Sequence, residues 1–285
     1  MHIALATSVA LTSSDQRLVS SLQALGCTAQ AVIWSDPKVD WQRFDTVVVR
    51  SCWDYHARVH EFVAWAHRLQ EIGVRLMNPA HVIAWNSSKE YLLYMAQSGV
   101  VVPATALVDI GSSIEEIALA IESAGSAVVV IKPAISHSAI NTWLMNAPGS
   151  TADLERIHAM ATQGRVLVQA FIDDVRTAGE TSIVFIDGAY SHAVIKHPAA
   201  GDFRVQFEHG GRLEVIQPSG AVIAAARRIL LCAPGPAVYA RVDGVVVNGV
   251  FTLMELELIE PELYLDLVDG SSDRFAASVI RSTLI

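Results

Sequence analysis

Four glutamates occupy a short run near the C-terminus, TLMELELIEPELYLD at 252–266. In a β-strand, successive side chains point to opposite faces, so Glu255 and Glu257 would share one face while the leucines between and after them take the other. Two carboxylates this close repel each other unless water screens them or a cation binds them. The run therefore predicts either a solvated sheet face or a cation site, and the rest of the chain must discriminate.

Two lysines stand in positions that are unusual for surface lysines. Lys89 opens a predicted helix, and Lys132 ends the apolar strand AVVVIKP just before Pro133. A lysine with a buried stem aims its ammonium past the strand, where a fixed anion such as a phosphate would stabilise it. The alternative for each is a stem that packs on apolar surface while the ammonium reaches solvent.

Further polar residues each have an ordinary interpretation in a loop or hairpin. After the two lysines, amide, carboxylate and cationic side chains follow in an order that ends with the Glu-x-Glu pair: Gln169, Glu180, Lys196, Arg204, Arg241 and Asp243. A single residue of this kind does not indicate a functional site. The order of the whole set along the chain is stronger evidence for one.

The first 80 residues alternate strand and helix. HIALAT, TAQAVIW and TVVVRS are predicted strands, while SSDQRLVSSLQAL, closed by Gly26, and HEFVAWAHRLQEIG are predicted helices. This alternation predicts a parallel sheet that binds ligands at the carboxyl ends of its strands, where ATS (6–8) and RSCWDYH (50–56) lie. A small α/β domain over 1–84 is expected.

A second unit is predicted to begin with a helix that Ser87 and Glu90 cap and Gly99 ends. VVVPAT and AVVVIKP are predicted strands around the helix SSIEEIALAIESAG, which gives a central α+β domain over 85–167. From 168 to 285 the pattern becomes antiparallel, with hairpins around Asp187-Gly188 and Asn248-Gly249. The fold class is thus α/β and α+β.

Composition excludes several classes of function. The formal net charge is −9 and the pI is about 5.5, which argues against non-specific binding of nucleic acid or anionic membranes. Mean hydropathy is +0.38, yet the best apolar runs, at 127–131 and 221–226, are too short to cross a bilayer. The start MHIALATSVALT lacks a basic region and a clear cleavage pattern, so it reads as a strand, not a signal peptide. Three scattered cysteines fit free thiols in a cytoplasmic protein.

Over nearly its whole length the chain resembles the ATP-grasp ligase superfamily, of the glutathione synthetase-like kind. The likeness lies in NSSKEYLLYMAQSGVVVPAT, VVIKPAISHSA, LVQAFI, GDFR…GG and ARVD…MELE. WDYH, GETSIVFIDGAYSHAVIKHPAAGDFRVQ and ELELIEPELYL resemble the branch that includes the ligase forming D-cycloserine. The resemblance implies an N-terminal parallel α/β domain, a central lid domain and a C-terminal antiparallel-sheet domain.

The resemblance also implies site residues, residue by residue. The phosphates of ATP would be contacted by Lys89, Lys132, Ser136 and Ser138. The adenine slot would be lined by Gln169, Ala170, Phe171 and Ile172, and the ribose would contact Glu180. The acyl phosphate and the transferred phosphoryl group would contact Lys196, Arg204 and Arg241. One or two Mg²⁺ ions would be held by Asp243, Glu255 and Glu257. Strand ends of the first domain would contact substrate through Thr7, Ser8, Trp53, Asp54 and Tyr55.

Two features depart from the superfamily pattern. The loop after the second lysine, AISHSAINT at 134–142, has no glycine where relatives have a glycine-rich loop over the phosphates. Glu257 stands where many relatives have an asparagine, and the added negative charge suits a second Mg²⁺. Loop closure is therefore less certain than ATP binding.

The activity implied is ATP-dependent phosphorylation of a substrate carboxylate, followed by displacement of phosphate by a nitrogen nucleophile. The resemblance to this branch implies cyclisation of O-ureido-D-serine to D-cycloserine, in antibiotic biosynthesis. Because ligases of the superfamily are often dimers, it also implies a homodimer. A peptide or carboxylate–amine ligase with a separate amino-acid substrate is the alternative in the same class. From other classes, a non-catalytic nucleotide-binding regulator and a periplasmic binding protein are weaker alternatives.

Two rival constellations lie near WDYH. Cys52 and His56 have the types of a thiol nucleophile and its base, although a cysteine beside a strand end is more often plain packing. His56 and His60 have the spacing of a metal-binding pair on a helix, but no third ligand is evident.

The acidic run makes a specific prediction about register. If Asn248-Gly249 were the two-residue loop of a regular hairpin, Asp243 would pair with Met254 and face away from the two glutamates. A three-residue loop, or an equivalent single-residue bulge, pairs Asp243 with Glu255 and Arg241 with Glu257 on one face. We predict the latter register.

Overall fold

The computed structural model describes residues 1–199, 202, 204 and 210–284. The N-terminal part is the predicted parallel sheet, with strand order β2-β1-β3-β4. Its strands are β1 (His2–Thr7), β2 (Thr28–Ile33), β3 (Thr46–Val49) and β4 (Arg75–Met77). Its helices are α1 (Ser13–Ala24) and α2 (Val59–Glu71), with short 3-10 helices at Trp41–Arg43 and Tyr55–Ala57.

Two short helices, α3 (Ala80–Asn86) and α4 (Tyr91–Gln97), lead into the central part. There an antiparallel sheet has the order β5-β8-β6-β7. Its elements are β5 (Thr105–Val108), α5 (Ile114–Ser123), β6 (Val128–Pro133), β7 (Trp143–Asn146), α6 (Thr151–Ala161) and β8 (Val166–Ala170). Helices α5 and α6 pack on this sheet through the buried side chains of Ile117, Ile121 and Ile157.

The C-terminal part is an antiparallel sheet of order β11-β10-β9-β12-β13. Its elements are α7 (Asp174–Ala178), β9 (Glu180–Ile186), β10 (Ala189–His197), β11 (Arg212–Ile216), α8 (Gly220–Leu230), β12 (Tyr239–Val247), β13 (Val250–Glu257) and α9 (Ser271–Leu284). Helix α9 returns to the N-terminal part, where Ser21 Oγ donates to Asp273 Oδ1 at 2.7 Å. The α/β and α+β fold class is confirmed.

Two local predictions are wrong. The strand VVVPAT begins only at Thr105, because Pro103 has no N–H for a ladder. The Ser87–Glu90 capping box does not form, and helix α4 begins at Tyr91 without a side-chain cap. The reason is tertiary: the backbone N–H of Lys89 donates to the carbonyl oxygen of Ala134 at 2.7 Å, which draws this segment to the loop after β6.

Side chains cover the outer edge of strand β13. Asn86 donates from Nδ2 to the Leu256 carbonyl oxygen and accepts the Leu258 N–H at Oδ1, both at 2.8 Å. The hydroxyl of Tyr91 accepts the Leu256 N–H at 2.8 Å, and Asn78 Nδ2 donates to the Leu258 carbonyl oxygen at 2.8 Å. Backbone groups of an edge strand are thereby satisfied without another strand, and β13 is fixed in place.

Across the ranges that the structure describes, no helix has both the length and the apolar character needed to span a membrane.

Candidate active site

The β12–β13 hairpin has the predicted pairing but not the predicted loop. Val247 pairs with Val250, so the loop is the two-residue Asn248-Gly249 and the three-residue loop is wrong. Both loop residues have positive φ, at 50° and 81°, as tight hairpins require. The single-residue bulge that we named as equivalent does occur, with Met254 as the additional residue. Beyond it the predicted register is confirmed.

Gly244 lies beside this bulge for a steric reason. A Cβ atom there would lie 2.6 Å from the carbonyl oxygen of Thr252 and 2.8 Å from Cε2 of Phe251. Neither the backbone of a sheet nor a buried ring can yield that much space cheaply. The bulge thus needs glycine at position 244.

The register brings three carboxylates together. Asp243 pairs with Glu255, and Arg241 with Glu257, on one face of the hairpin. One oxygen atom from each of Asp243, Glu255 and Glu257 lies within 4.8 Å of the other two, and no other such group of potential metal ligands occurs in the described part of the chain. Carboxylate oxygens at this spacing are the donor set that Mg²⁺ takes, so the residues fit that cation.

Basic side chains surround these acids. Lys89 Nζ lies 3.0 Å from Glu255, and Lys196 Nζ lies 3.0 Å from Asp243 and 2.5 Å from Glu180. The guanidinium of Arg241 bridges Asp243 at 2.9 Å and Glu257 at 2.5 Å. The result is a partly enclosed charge network in which ammonium, guanidinium and carboxylate groups alternate, as sites for phosphoryl groups and metal ions require.

The network separates the pKa values of its carboxyl groups. Burial opposes the charge on Asp243, but Arg241 and Lys196 outweigh burial and lower its pKa. Burial raises the pKa of Glu257 to about 7, even though Arg241 contacts it. Glu255 has a lowered pKa because Lys89 and Lys132 overcome its burial. Asp243 and Glu255 therefore carry negative charge at neutral pH, whereas Glu257 needs a further cation to hold its charge firmly.

Lys132 reaches the site from strand β6 of the central sheet. Its Nζ donates to Gln169 Oε1 at 3.0 Å, and Gln169 Nε2 donates to Thr105 Oγ1 at 2.9 Å. Burial lowers the pKa of Lys132 to about 8. Among the lysines of the site that the structure describes, Lys132 makes no salt bridge with a carboxylate, whereas Lys89 and Lys196 each do. An anion from outside the chain would stabilise it.

The glycine-free loop of 134–142 folds over the same space. Its Ser138, Ala139 and Asn141 adopt positive φ values of 46°, 55° and 55°, which glycine would reach without strain. Ser136 and Ser138 line the cavity from this loop. The His137 ring stacks on Trp53 with centroids 6.0 Å apart, so the loop contacts the N-terminal sheet.

A cavity of about 610 Å³ joins these parts. Its lining combines apolar side chains with the carboxylates and basic side chains of the charge network. The apolar lining includes Val130, Phe171, Val175, Leu213 and Met254. This volume and polarity suit a nucleotide whose base packs on apolar side chains and whose phosphates meet the cations.

Most of the predicted nucleotide and phosphate residues line this cavity: Lys89, Lys132, Ser136, Ser138, Gln169, Phe171, Glu180, Lys196, Arg204 and Arg241. Ala170 and Ile172 flank Phe171 without lining the cavity themselves. Arg204 Nη2 lies 2.8 Å from Asp202 Oδ2. Gly201 and Phe203 of the same motif lie outside the described residues.

Of the five predicted substrate contacts, Trp53 lines the cavity and four do not. Thr7 and Ser8 direct their hydroxyl groups to the carbonyl oxygen of Ser51, at 3.2 and 3.1 Å. The carboxylate of Asp54 accepts from Trp34 Nε1 at 2.8 Å and pairs with Arg58, and Tyr55 is buried in the core.

Sequence reasoning assigned no role to several residues that line the cavity: Thr12, Arg212, Met254, Glu260, Glu262 and Tyr264. For Glu260 and Glu262 a signal existed, because both belong to the acidic run. Met254 appeared only as the residue that a regular two-residue hairpin would pair with Asp243. Arg212 and Tyr264 carried no signal of their own.

The two rival constellations gain no support. Cys52 is fully buried, and burial raises the pKa of its thiol well above the usual range, so the thiolate that a nucleophile needs is disfavoured. His56 belongs to a 3-10 helix and His60 to α2, so they do not share one helix face. The His56 ring instead stacks on His137, with centroids 6.0 Å apart.

Comparison with known proteins agrees with this geometry. Residues 3–78 match the family model of the N-terminal domain of D-cycloserine synthetase DcsG, and residues 92–233 match that of the prokaryotic glutathione synthetase ATP-grasp domain. The cycloserine biosynthesis protein DcsG of Streptomyces lavendulae is 30% identical over 283 residues, covering 92% of this chain and 91% of that protein.

Solved structures give the same result. The crystal structure of D-cycloserine synthetase DcsG superposes with a TM-score of 0.87 at 27% identity, over 99% of this chain and 100% of that one. D-alanine–D-alanine ligase from Bacillus anthracis shares the fold, with a TM-score of 0.72 at 15% identity over 100% of this chain and 97% of that one. The chain therefore belongs to the ATP-grasp ligases, ATP-dependent enzymes, and within them to the family of DcsG.

Proposed function

We propose that this ligase activates the carboxylate of O-ureido-D-serine with ATP and closes the ring of D-cycloserine. The observation that carries the proposal is the shared cavity: basic groups for phosphates and the Asp243–Glu255–Glu257 face open into one space. The relation to DcsG, whose name assigns it to cycloserine biosynthesis, supports cycloserine as the product. The substrate is the one that the resemblance to this branch implies.

Nucleotide binding is proposed to use both the apolar and the basic side chains that line the cavity. Phe171, with the flanking backbone of Ala170 and Ile172, would contact the adenine, and Glu180 the ribose. Lys89 and Lys132, with Ser136 and Ser138 of the loop, would contact the phosphates. The support is that Lys132 is buried beside a neutral amide, and a phosphate would supply the missing counter-charge.

Mg²⁺ is proposed to be held by Asp243, Glu255 and Glu257, as one ion or two. Bound there, the cation would neutralise charge that builds up on the phosphoryl oxygens. Glu257 favours the higher count, because it adds a third carboxylate to the group formed with Asp243 and Glu255. Lys89, Lys196 and Arg241 already contact these acids and would turn toward phosphate oxygens when a metal takes their place.

In the proposed reaction, a carboxylate oxygen of the substrate attacks the γ-phosphorus of ATP, and ADP leaves. Arg241, Arg204 and Lys196 would hold the phosphoryl oxygens during transfer. The ureido nitrogen bonded to oxygen then attacks the acyl carbon, phosphate leaves, and the five-membered ring closes. Hydrolysis of the carbamoyl group, with release of CO₂ and ammonia, gives the product.

Water must be excluded while the acyl phosphate exists, because hydrolysis competes with ring closure. We propose that the chain divides at 1–84, 85–167 and 168–285 and that the central part closes as a lid. Two contacts of its loop support this role: Lys89 Nζ donates to the Ser136 carbonyl oxygen at 3.2 Å, and His137 stacks on Trp53. Trp53 would then contact substrate, with Thr7, Ser8, Asp54 and Tyr55 supporting the strand ends behind it.

The test is substrate-dependent release of ADP and phosphate with ATP, Mg²⁺ and O-ureido-D-serine, and chromatographic detection of cycloserine. Phosphate release that needs a separate amino acid would identify a carboxylate–amine or peptide ligase instead. Hydroxylamine would trap the acyl phosphate of either ligase as a hydroxamate and so reports which carboxylate is activated. Tight ATP binding without turnover for any carboxylate would favour a regulator. Sedimentation analysis would test the homodimer, which stays a prediction.

A further inference from the structure

Glu260 lies in the cavity beyond the metal-binding face. It follows Glu257 by three residues, just past the end of strand β13, and lines the cavity together with Trp53 of the N-terminal part. After burial, Glu260 is the charged group with the greatest influence on the pKa values of both Tyr55 and Cys52. Its carboxyl group thus lies between the acids of the hairpin and the carboxyl end of strand β3.

The backbone on both sides of Glu260 is anchored. The Tyr239 hydroxyl lies 2.7 Å from the carbonyl oxygen of Ile259, and Arg50 Nη2 donates to the carbonyl oxygen of Pro261 at 2.9 Å. Arg50 is itself buried and donates from Nε to Asp15 at 2.6 Å. Because both neighbours are fixed, the backbone of Glu260 is held at the cavity.

Its carboxylate forms no salt bridge within the described chain: its own backbone N–H, Lys89 and Arg50 favour its charge, but both cations lie beyond contact distance. Glu180 and Asp243 contact Lys196, Glu255 contacts Lys89, and Glu257 contacts Arg241, whereas Glu260 forms no salt bridge with any described residue. The adjacent acid, Glu262, accepts the N–H of Tyr264 at Oε1 at 2.8 Å. A carboxylate held in an enclosed place without a counter-ion is costly, unless a ligand brings the positive charge.

Electrostatics agree with this picture. Burial, together with the neighbouring charge of Glu257, raises the pKa of Glu260 to about 8, because the opposing effects of its own backbone N–H, Lys89 and Arg50 are smaller. Lys132, the site lysine without a salt bridge to a carboxylate, and Glu260 line the same cavity, which Trp53 of the N-terminal part also lines. Among its described lining residues, the cavity therefore offers a buried ammonium to an anionic ligand and a carboxylate to a cationic ligand.

We propose that Glu260 receives the α-ammonium group of an amino-acid substrate whose carboxylate is activated beside Arg241. This inference rests on the proposed function and specifies its substrate class. The ammonium and the carboxylate of an α-amino acid are attached to the same carbon, and Glu260 lines the same cavity as Arg241 and Glu257. The ammonium of O-ureido-serine is not consumed in ring closure, so its role here is recognition.

The experiment measures binding by titration calorimetry, with Mg²⁺ and a non-hydrolysable ATP analogue present. Two ligands are compared: O-ureido-D-serine and 3-(ureidooxy)propanoate, which has hydrogen in place of the α-ammonium. Wild-type protein should bind the amino acid about 10- to 100-fold more tightly. Glu260→Gln should lose that preference while its affinity for the propanoate and for the ATP analogue stays within about twofold of wild type. Glu71→Gln, which removes an exposed acid at the end of α2, is the matched control and should keep the preference.

Each other outcome overturns the inference. A wild-type protein that does not discriminate between the two ligands has no ammonium site, even if Glu260→Gln fails to fold. Equal weakening of both ligands in Glu260→Gln indicates a structural role, and weaker binding of Mg²⁺ or nucleotide indicates a metal ligand. Failure of the proposed function is distinct: no phosphate release with any carboxylate, while the Glu260-dependent binding preference persists.

Discussion

Gly244, at the β-bulge, is a position where one added methyl group should lower the catalytic rate far more than the stability of the fold. A Cβ at Gly244 would lie 2.6 Å from the Thr252 carbonyl oxygen, and an ordinary contact begins at about 3.4 Å. Gly244→Ala therefore has to move strand β13 away from β12 by about 0.8 Å at this point. Gly244 directly follows Asp243, and its partner Leu253 lies two residues before Glu255, so the displacement adjoins the pair of acids.

Two magnitudes follow from that displacement. Overpacking of a well-packed interior costs about 1–3 kcal/mol, which corresponds to a modest fall in Tm. Misplacement of catalytic groups by roughly 1 Å costs about 10²-fold in rate. We expect kcat for substrate-dependent ADP formation to fall about 10²-fold in a variant that remains folded.

The assay is coupled ADP detection over a series of Mg²⁺ concentrations, with Tm from scanning calorimetry. Gly164→Ala is the control, because a Cβ there meets nothing within 4 Å. Adding Phe251→Leu to Gly244→Ala would relieve the ring contact but not the contact with the carbonyl, so it should restore stability more than activity. If Gly244→Ala keeps kcat within twofold of Gly164→Ala, the bulge does not set the position of the acids.

Three further outcomes are expected. Asp15→Asn leaves the charge of Arg50 buried without its 2.6 Å partner, so the free energy of unfolding should fall by about 3–5 kcal/mol in denaturant titrations, with exposed Asp36→Asn unchanged. Because burial lowers the pKa of Lys132 to about 8 and phosphate favours its charged form, ATP affinity should decline from pH 8 to pH 10 with proton uptake on binding; a flat profile, or an equal decline in Lys132→Met, would contradict this. Chelation of divalent cations should abolish ADP formation, and Glu257→Gln should raise the half-saturating Mg²⁺ concentration at least roughly tenfold; an unchanged Mg²⁺ requirement would remove Glu257 from the metal site.

Local periodicity predicted most of the fold because each element carries its own pattern. Strand–helix alternation indicated the parallel sheet, and Asp187-Gly188 marked the β9–β10 hairpin. The errors lie where a distant partner decides. Residues 87–90 do not continue a helix, because the Lys89 N–H bonds to Ala134, far away in the sequence.

The candidate site shows the same division. The alternation of side chains along a strand placed Glu255 and Glu257 on one face. A site shared with Asp243 required one additional residue in the hairpin, but the sequence did not show where that residue would be. The bulge at Met254 depends on the contacts of Gly244 with Phe251 and Thr252, which sequence spacing does not contain. Glu260 was overlooked for a related reason: its importance comes from the absence of a salt bridge within the described fold, and only three-dimensional contacts reveal that.

The side chains on the outer edge of strand β13 have a consequence for self-association. An edge strand with free N–H and C=O groups can template the strand of a second molecule and start aggregation. Here Asn78, Asn86 and Tyr91 occupy the groups of Leu256 and Leu258 that such a strand would need. The strand that carries the acids is thus closed to intermolecular pairing, and at the other edge of the same sheet β11 exposes Arg212 and Glu214, charged residues of the kind that discourage it.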